Sequence, residues 1–85
     1  MKEELISYSK DVLDSYDVFI DDCFIDVEEG NKVFNVVVDC EKGIIDLDKI
    51  TDVSRVLNKI IDEKLDLDVS YVDIYSKEKG EVIDE

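Results

Sequence analysis

The chain has no histidine, no proline and no tryptophan, and only three glycines and two cysteines in 85 residues. Without an imidazole there is no base to activate a serine or a cysteine, so Ser-His and Cys-His nucleophilic catalysis is excluded. No glycine-rich loop leads into Gly-Lys-Ser or Gly-Lys-Thr, so a phosphate cradle is missing as well. Cations are scarce: Lys and Arg total 10 against 24 Asp and Glu, a formal net charge of −14. Such a chain is a poor ligand for a phosphate backbone, which needs clustered positive charge, and little direct nucleic-acid binding is expected of it. It suits a basic partner, or stays soluble by self-repulsion. Long apolar runs are also lacking, far short of the roughly 18–20 residues of a membrane helix. The start, Met1-Lys2-Glu3-Glu4, does not read as a signal peptide. These features predict a cytoplasmic protein without membrane association.

What remains is β-prone and apolar. Valine and isoleucine make up 22 of the 85 residues, too much for a solvated tail. No repeat and no low-complexity linker divides the chain, so residues 1–85 read as one domain, with an ordered core about 3–76 and a charged tail 77–85. Gly30, Gly43 and Gly80 punctuate it.

From Lys2 to Tyr16, Leu5, Ser9, Val12 and Tyr16 recur at helical spacing with Ile6 and Leu13 beside them. From Asp22 to Asp39 the period changes to two. A turn at Gly30-Asn31 would pair Cys23 with Val38, Ile25 with Val36 and Val27 with Phe34 on one apolar face. The other face would pair Phe24 with Val37, Asp26 with Asn35 and Glu28 with Val33. Asp46 reads as the N-cap of a second helix, along which Leu47, Ile50, Val53, Leu57, Ile60 and Ile61 keep the helical period to about Glu63. Val69 to Ser76 alternates again, with Val72 and Ile74 toward the helices and Tyr71, Asp73 and Tyr75 away. The pattern predicts an α+β fold, α-β-β-α-β, in two layers: two helices packed on one face of a three-stranded sheet. The crossover makes the third strand parallel to the second.

The chemistry inventory points away from catalysis. With 24 acids, carboxylate pairs arise by chance and read as solvated surface charge. Asp46-Leu47-Asp48 and Asp66-Leu67-Asp68 start like calcium loops, but Thr51 and Tyr71 stand where such a loop needs glycine, and Leu57 and Lys77 where it needs Glu. Cys23 and Cys40 are too far apart in sequence for a zinc knuckle, and with Cys23 opposite Val38 a disulfide would distort the hairpin. Two unpaired thiols suit a reducing compartment. No metal site and no cofactor is therefore expected, and the chain is read as a non-enzyme.

The outer face of the sheet would carry Phe24, Val37, Tyr71 and Tyr75 among Asp22, Asp26, Asp39 and Asp73. Aromatics on an open sheet can stack nucleobases. With an acidic rim they better suit a basic protein surface, the rings as anchors and the carboxylates as steering charge. The expected partner-binding set is Phe24, Asp26, Val37, Tyr71, Asp73 and Tyr75, with Arg55 on the second helix as a further candidate. Arg55 is the only arginine and is expected to pair with Asp52 or Asp62.

Several short motifs resemble the N-terminal domain of the ribosome maturation factor RimP family. The resemblance covers about residues 20 to 76. Val36-Val37-Val38-Asp39 falls where that family reads Val-Tyr-Ile-Asp. Gly43-Ile44-Ile45-Asp46-Leu47-Asp48 resembles its glycine and Leu-Asp helix start. Val53-Ser54-Arg55 resembles its Val-Ser-Arg, the most specific of the motifs, and Ile60-Ile61-Asp62 closes the helix. Val72-Asp73-Ile74-Tyr75-Ser76 falls at its Leu-Glu-Val-Ser-Ser. The sequence departs from the family in having Asn35 where an Arg is usual and no proline after Ser76, and its 85 residues hold no counterpart of the family's SH3-like second domain. The resemblance implies the same element order and a non-enzymatic assembly factor for the small ribosomal subunit, binding a basic ribosomal protein or the immature particle. The alternatives are a general protein-interaction module or an acidic nucleic-acid mimic. A mimic would need carboxylates spaced like phosphates, about 6–7 Å apart along one surface.

Overall fold

A computed structural model describes residues 2–41, 45–65 and 67–77. The elements run α1 (Lys2–Ser15), β1 (Phe19–Glu28), β2 (Asn31–Asp39), α2 (Leu47–Lys64) and β3 (Tyr71–Ser76). The fold is α+β, two helices on a three-stranded mixed sheet of order β1-β2-β3. β1 and β2 are antiparallel, and β3 runs parallel to β2. The expected breaks at Gly43 and Gly80, the charged tail beyond Lys77, and Asp66 of the second calcium-like segment lie outside the described residues.

α1 buries Leu5, Ser9 and Leu13, a stripe at helical spacing. Ser9 fits this apolar stripe because its hydroxyl donates to the Leu5 carbonyl one turn back, at 2.6 Å. The helix ends without glycine. Asp17 takes a positive φ of 60°, the Asp17 amide donates to the Asp14 carbonyl, and the Val18 amide donates to the Leu13 carbonyl. That double closure is the Schellman motif, and its accompanying apolar contact is met by Val18 and Leu13, both buried. α2 starts as expected: the Asp46 carboxylate accepts from the Lys49 amide at 2.8 Å. Val53, Leu57 and Ile61 are its buried stripe. Leu47, expected in that stripe, is 75% exposed, because as the first helical residue it projects off the end of the packed face.

The helices cover one face only. Phe34, Val36 and Val38 of β2 meet Leu5, Leu13, Val53, Leu57 and Ile61 in a single core, with Val72 and Ile74 of β3 packed against it. α1 lies over β1 and α2 over β3, and the two meet over the central strand.

The hairpin departs from expectation in register. Its central turn residues are Glu29 and Gly30, with φ of 51° and 84°, and not Gly30 and Asn31. Two positive φ values are the signature of the type I′ turn, whose twist matches the strands. Cys23 therefore faces Val36, Ile25 faces Phe34 and Val27 faces Lys32, each two residues from the expected partner. A two-residue slip leaves every side chain on its expected face, so alternation alone cannot detect it. The expected register also places Asp22 directly opposite Asp39, a like-charge pair. In the observed one Asp22 faces Val37 and Asp39 faces Phe19. An irregularity between Ile20 and Asp22 inserts a residue and swings Ile20 onto the core side, opposite Val38.

The expectation that all six hairpin residues hide under the helices is also corrected. Phe34, Val36 and Val38 are buried, but Ile25 is 41% and Val27 62% exposed. At about 3.3 Å per residue the ten-residue β1 spans about 33 Å, whereas the 14-residue α1 spans about 21 Å, and the tip extends past its cover.

Candidate functional site

Strand alternation fixes what the uncovered face presents. β2 contributes Val33, Asn35, Val37 and Asp39 to it. The two ladders then define four cross-sheet rows. Asp26, Val33 and Tyr71 form one row; Phe24, Asn35 and Asp73 the next; Asp22, Val37 and Tyr75 the third. Phe19 and Asp39 pair in the fourth. Each of the first three rows has an aromatic ring on one flank and a carboxylate on the other, and the sides swap from row to row. The result is a checkerboard of rings and acids around a small central strip. Lys32 faces the helix side, opposite Val27, so no cation interrupts the rows. Lys77 lies beyond β3 and pairs with Asp21 at 3.8 Å.

The rings are accessible. Tyr71 is 51% and Phe24 42% exposed, while Val33 beneath them is buried. Tyr75 is half-buried, and its hydroxyl donates to the Asn35 side-chain oxygen at 3.4 Å. Burial pushes its phenol above the usual range, and the negative charges of Asp73, Asp22 and Asp26 push it further in the same direction. The ring stays neutral at working pH and can act as a hydrogen-bond donor and an apolar anchor. Cys23, on the helix side, has its thiol raised by burial first and by Asp22 second, which keeps it protonated and a weak nucleophile. Cys23 and Cys40 are thiols, not joined to each other.

Six of the seven residues expected to bind a partner, Phe24, Asp26, Val37, Tyr71, Asp73 and Tyr75, share this face. Arg55 does not. It sits exposed on α2 in the other layer, and among the described residues it pairs with neither Asp52 nor Asp62. Phe19 and Asn35 share the face but stand outside the expected partner-binding set, although alternation already placed Asn35 on this side. Phe19 belongs to the β-prone run Val18-Phe19-Ile20, which the bulge joins to the hairpin; Asn35 is the polar centre of the face.

Among the described residues no group of three or more His, Cys, Asp or Glu is placed to hold a metal ion. Among them, too, no helix is long and apolar enough to cross a membrane. No protein-family model and no curated protein sequence matches the chain.

Proposed function

We propose that this protein is a docking module, not an enzyme, whose open sheet face receives a basic protein surface. The observation that carries the reading is the checkerboard: exposed and half-exposed rings alternate with carboxylates on β1 and β3, on either side of the β2 strip, and among the described residues no cation lies in these rows. Rings bury large apolar area at little entropic cost, and flanking acids recruit and align Lys and Arg of a partner. The motifs around Val53-Ser54-Arg55 and the α-β-β-α-β order support the RimP-like reading, in which the partner is a basic ribosomal protein or the immature small ribosomal subunit. The net charge of −14 supports an escort for such a protein. The same checkerboard disfavours the nucleic-acid mimic. Asp22 and Asp26 are four residues apart on one strand, about 13 Å, with Phe24 between them.

Co-sedimentation with the immature small subunit tests the proposal. Association at low salt that weakens as salt rises is the expected result; no association at low salt removes the ribosomal assignment.

A further inference from the structure

The sheet has two edges, and they are not alike. The two-residue turn makes Glu28 and Asn31 a hydrogen-bonded pair, so the alternate residues Cys23, Ile25 and Val27 turn their amides away from β2, off the edge of the sheet. Two of these three outward amides are already occupied. The Cys23 N–H donates to its neighbour Asp22 at 2.8 Å and the Val27 N–H to Asp26 at 2.9 Å. With the bulge at Asp21 and the run of acids, β1 is an edge blocked against strand addition.

Among the described residues nothing blocks β3 in this way. The Lys32 carbonyl accepts from Ser70, which shows that the even-numbered residues of β2 turn their backbone groups to β3. Phe34 and Val36 bond to the residues flanking their partners, so those partners, Val72 and Ile74, turn their amides outward. Among the described residues no side chain accepts from either. Beneath this edge runs a groove between α2 and the approach to β3, lined by Ile61, Leu65, Leu67, Val69 and Val72, with both Asp62 and Lys59 at its wall. On the other side of the edge stand Tyr71, Asp73 and Tyr75.

We propose that the β3 edge pairs with an extended cationic segment of a protein partner, which adds to the sheet as a fourth strand. Its outward amides supply the hydrogen bonds and the groove takes alternate apolar side chains. The intervening residues of the added strand lie beside Asp73 and the two tyrosines, where lysine or arginine is favoured. A second copy of this chain is a poor occupant, because each brings a charge of −14. The inference rests on the reading of the partner as basic and adds how that partner is held.

The test is amide hydrogen exchange on the full chain with and without a synthetic ten-residue peptide of alternating lysine and valine. The expected result is exchange at Val72 and Ile74 slowed at least about tenfold at saturating peptide, with Cys23 and Val27 unchanged. If the peptide binds and moves the signals of Phe24 and Val37 but leaves exchange at Val72 and Ile74 untouched, the edge proposal falls while the basic-partner reading stands. If the peptide does not bind at low salt, both fall. Protection of the same amides that depends on protein concentration alone, without peptide, assigns the edge to a second copy and overturns the proposal. Val72→Pro removes one outward donor at a position where an edge strand tolerates proline, and it should abolish protection at Ile74. Where that variant does not fold, exchange on the natural chain decides.

Discussion

The Tyr75 hydroxyl donates to the Asn35 side-chain oxygen at 3.4 Å, and the Asn35 amide in turn donates to the Val33 carbonyl at 3.3 Å. The pair ties the last aromatic of β3 to the centre of the open face and sets the ring beside Val37. Tyr75→Phe keeps the ring and removes a long hydrogen bond at a half-exposed site, so chemical denaturation should show a loss of about 0.5–1 kcal/mol. Tyr75→Ala and Phe24→Ala should retain a cooperative unfolding transition and weaken binding to a basic partner by more than 1 kcal/mol, about fivefold. Outright unfolding by either substitution would show that the rings hold the fold together.

Leu57 is fully buried, and Leu57→Ala should cost about 2–4 kcal/mol by urea titration. Leu47→Ala, at the first residue of α2 and largely in water, should change stability by less than about 0.5 kcal/mol.

Glu29 holds a left-handed φ of 51° at the first position of the hairpin turn, where an asparagine is at ease. Glu29→Asn should raise stability by about 0.5–1 kcal/mol, seen as a higher midpoint of thermal unfolding. No gain would mean that the unfolded chain or a turn contact of Glu29 offsets the relief.

The Tyr75 phenol and the Cys23 thiol both have raised pKa values in the folded state, from ordinary values of 10.0 and 9.0. The folded form therefore holds these protons where the unfolded form has lost them, and stability falls as pH rises through that interval. Their contribution is complete below about pH 9 and declines above it, first for Cys23 and then for Tyr75. Denaturation midpoints measured from pH 8 to 11 should fall, and Cys23→Ser should remove the earlier part of the decline.

Asp22 and Asp26 occupy the outward amides of Cys23 and Val27. The double replacement Asp22→Ala with Asp26→Ala should open the β1 edge and produce self-association at concentrations where the natural chain stays monodisperse, measured by sedimentation velocity. An unchanged sedimentation profile would mean that the bulge alone blocks this edge.

Element type and facing were legible in the sequence because both are periodic. Helical spacing located Leu5, Ser9, Val53, Leu57 and Ile61, and alternation sorted Phe34, Val36 and Val38 from Phe24, Tyr71 and Tyr75. Quantities without a period were hidden. A register shifted by two residues preserves every face, and only the clash of Asp22 with Asp39 argues against the wrong one. The bulge that brings Ile20 into the core carries no glycine, and neither does the left-handed residue Asp17 that ends α1. Exposure at the hairpin tip depends on how far β1 outruns α1, a property of assembled lengths. Arg55 looked important by motif and lies in the wrong layer to join the face.

A photoreactive benzoylphenylalanine placed at position 24, and separately at position 55, and irradiated with the immature small ribosomal subunit, tests the docking face most directly. The expected result is a cross-link from position 24 to a basic ribosomal protein and none from position 55. A cross-link from position 55 alone, or from position 24 to RNA alone, would contradict it.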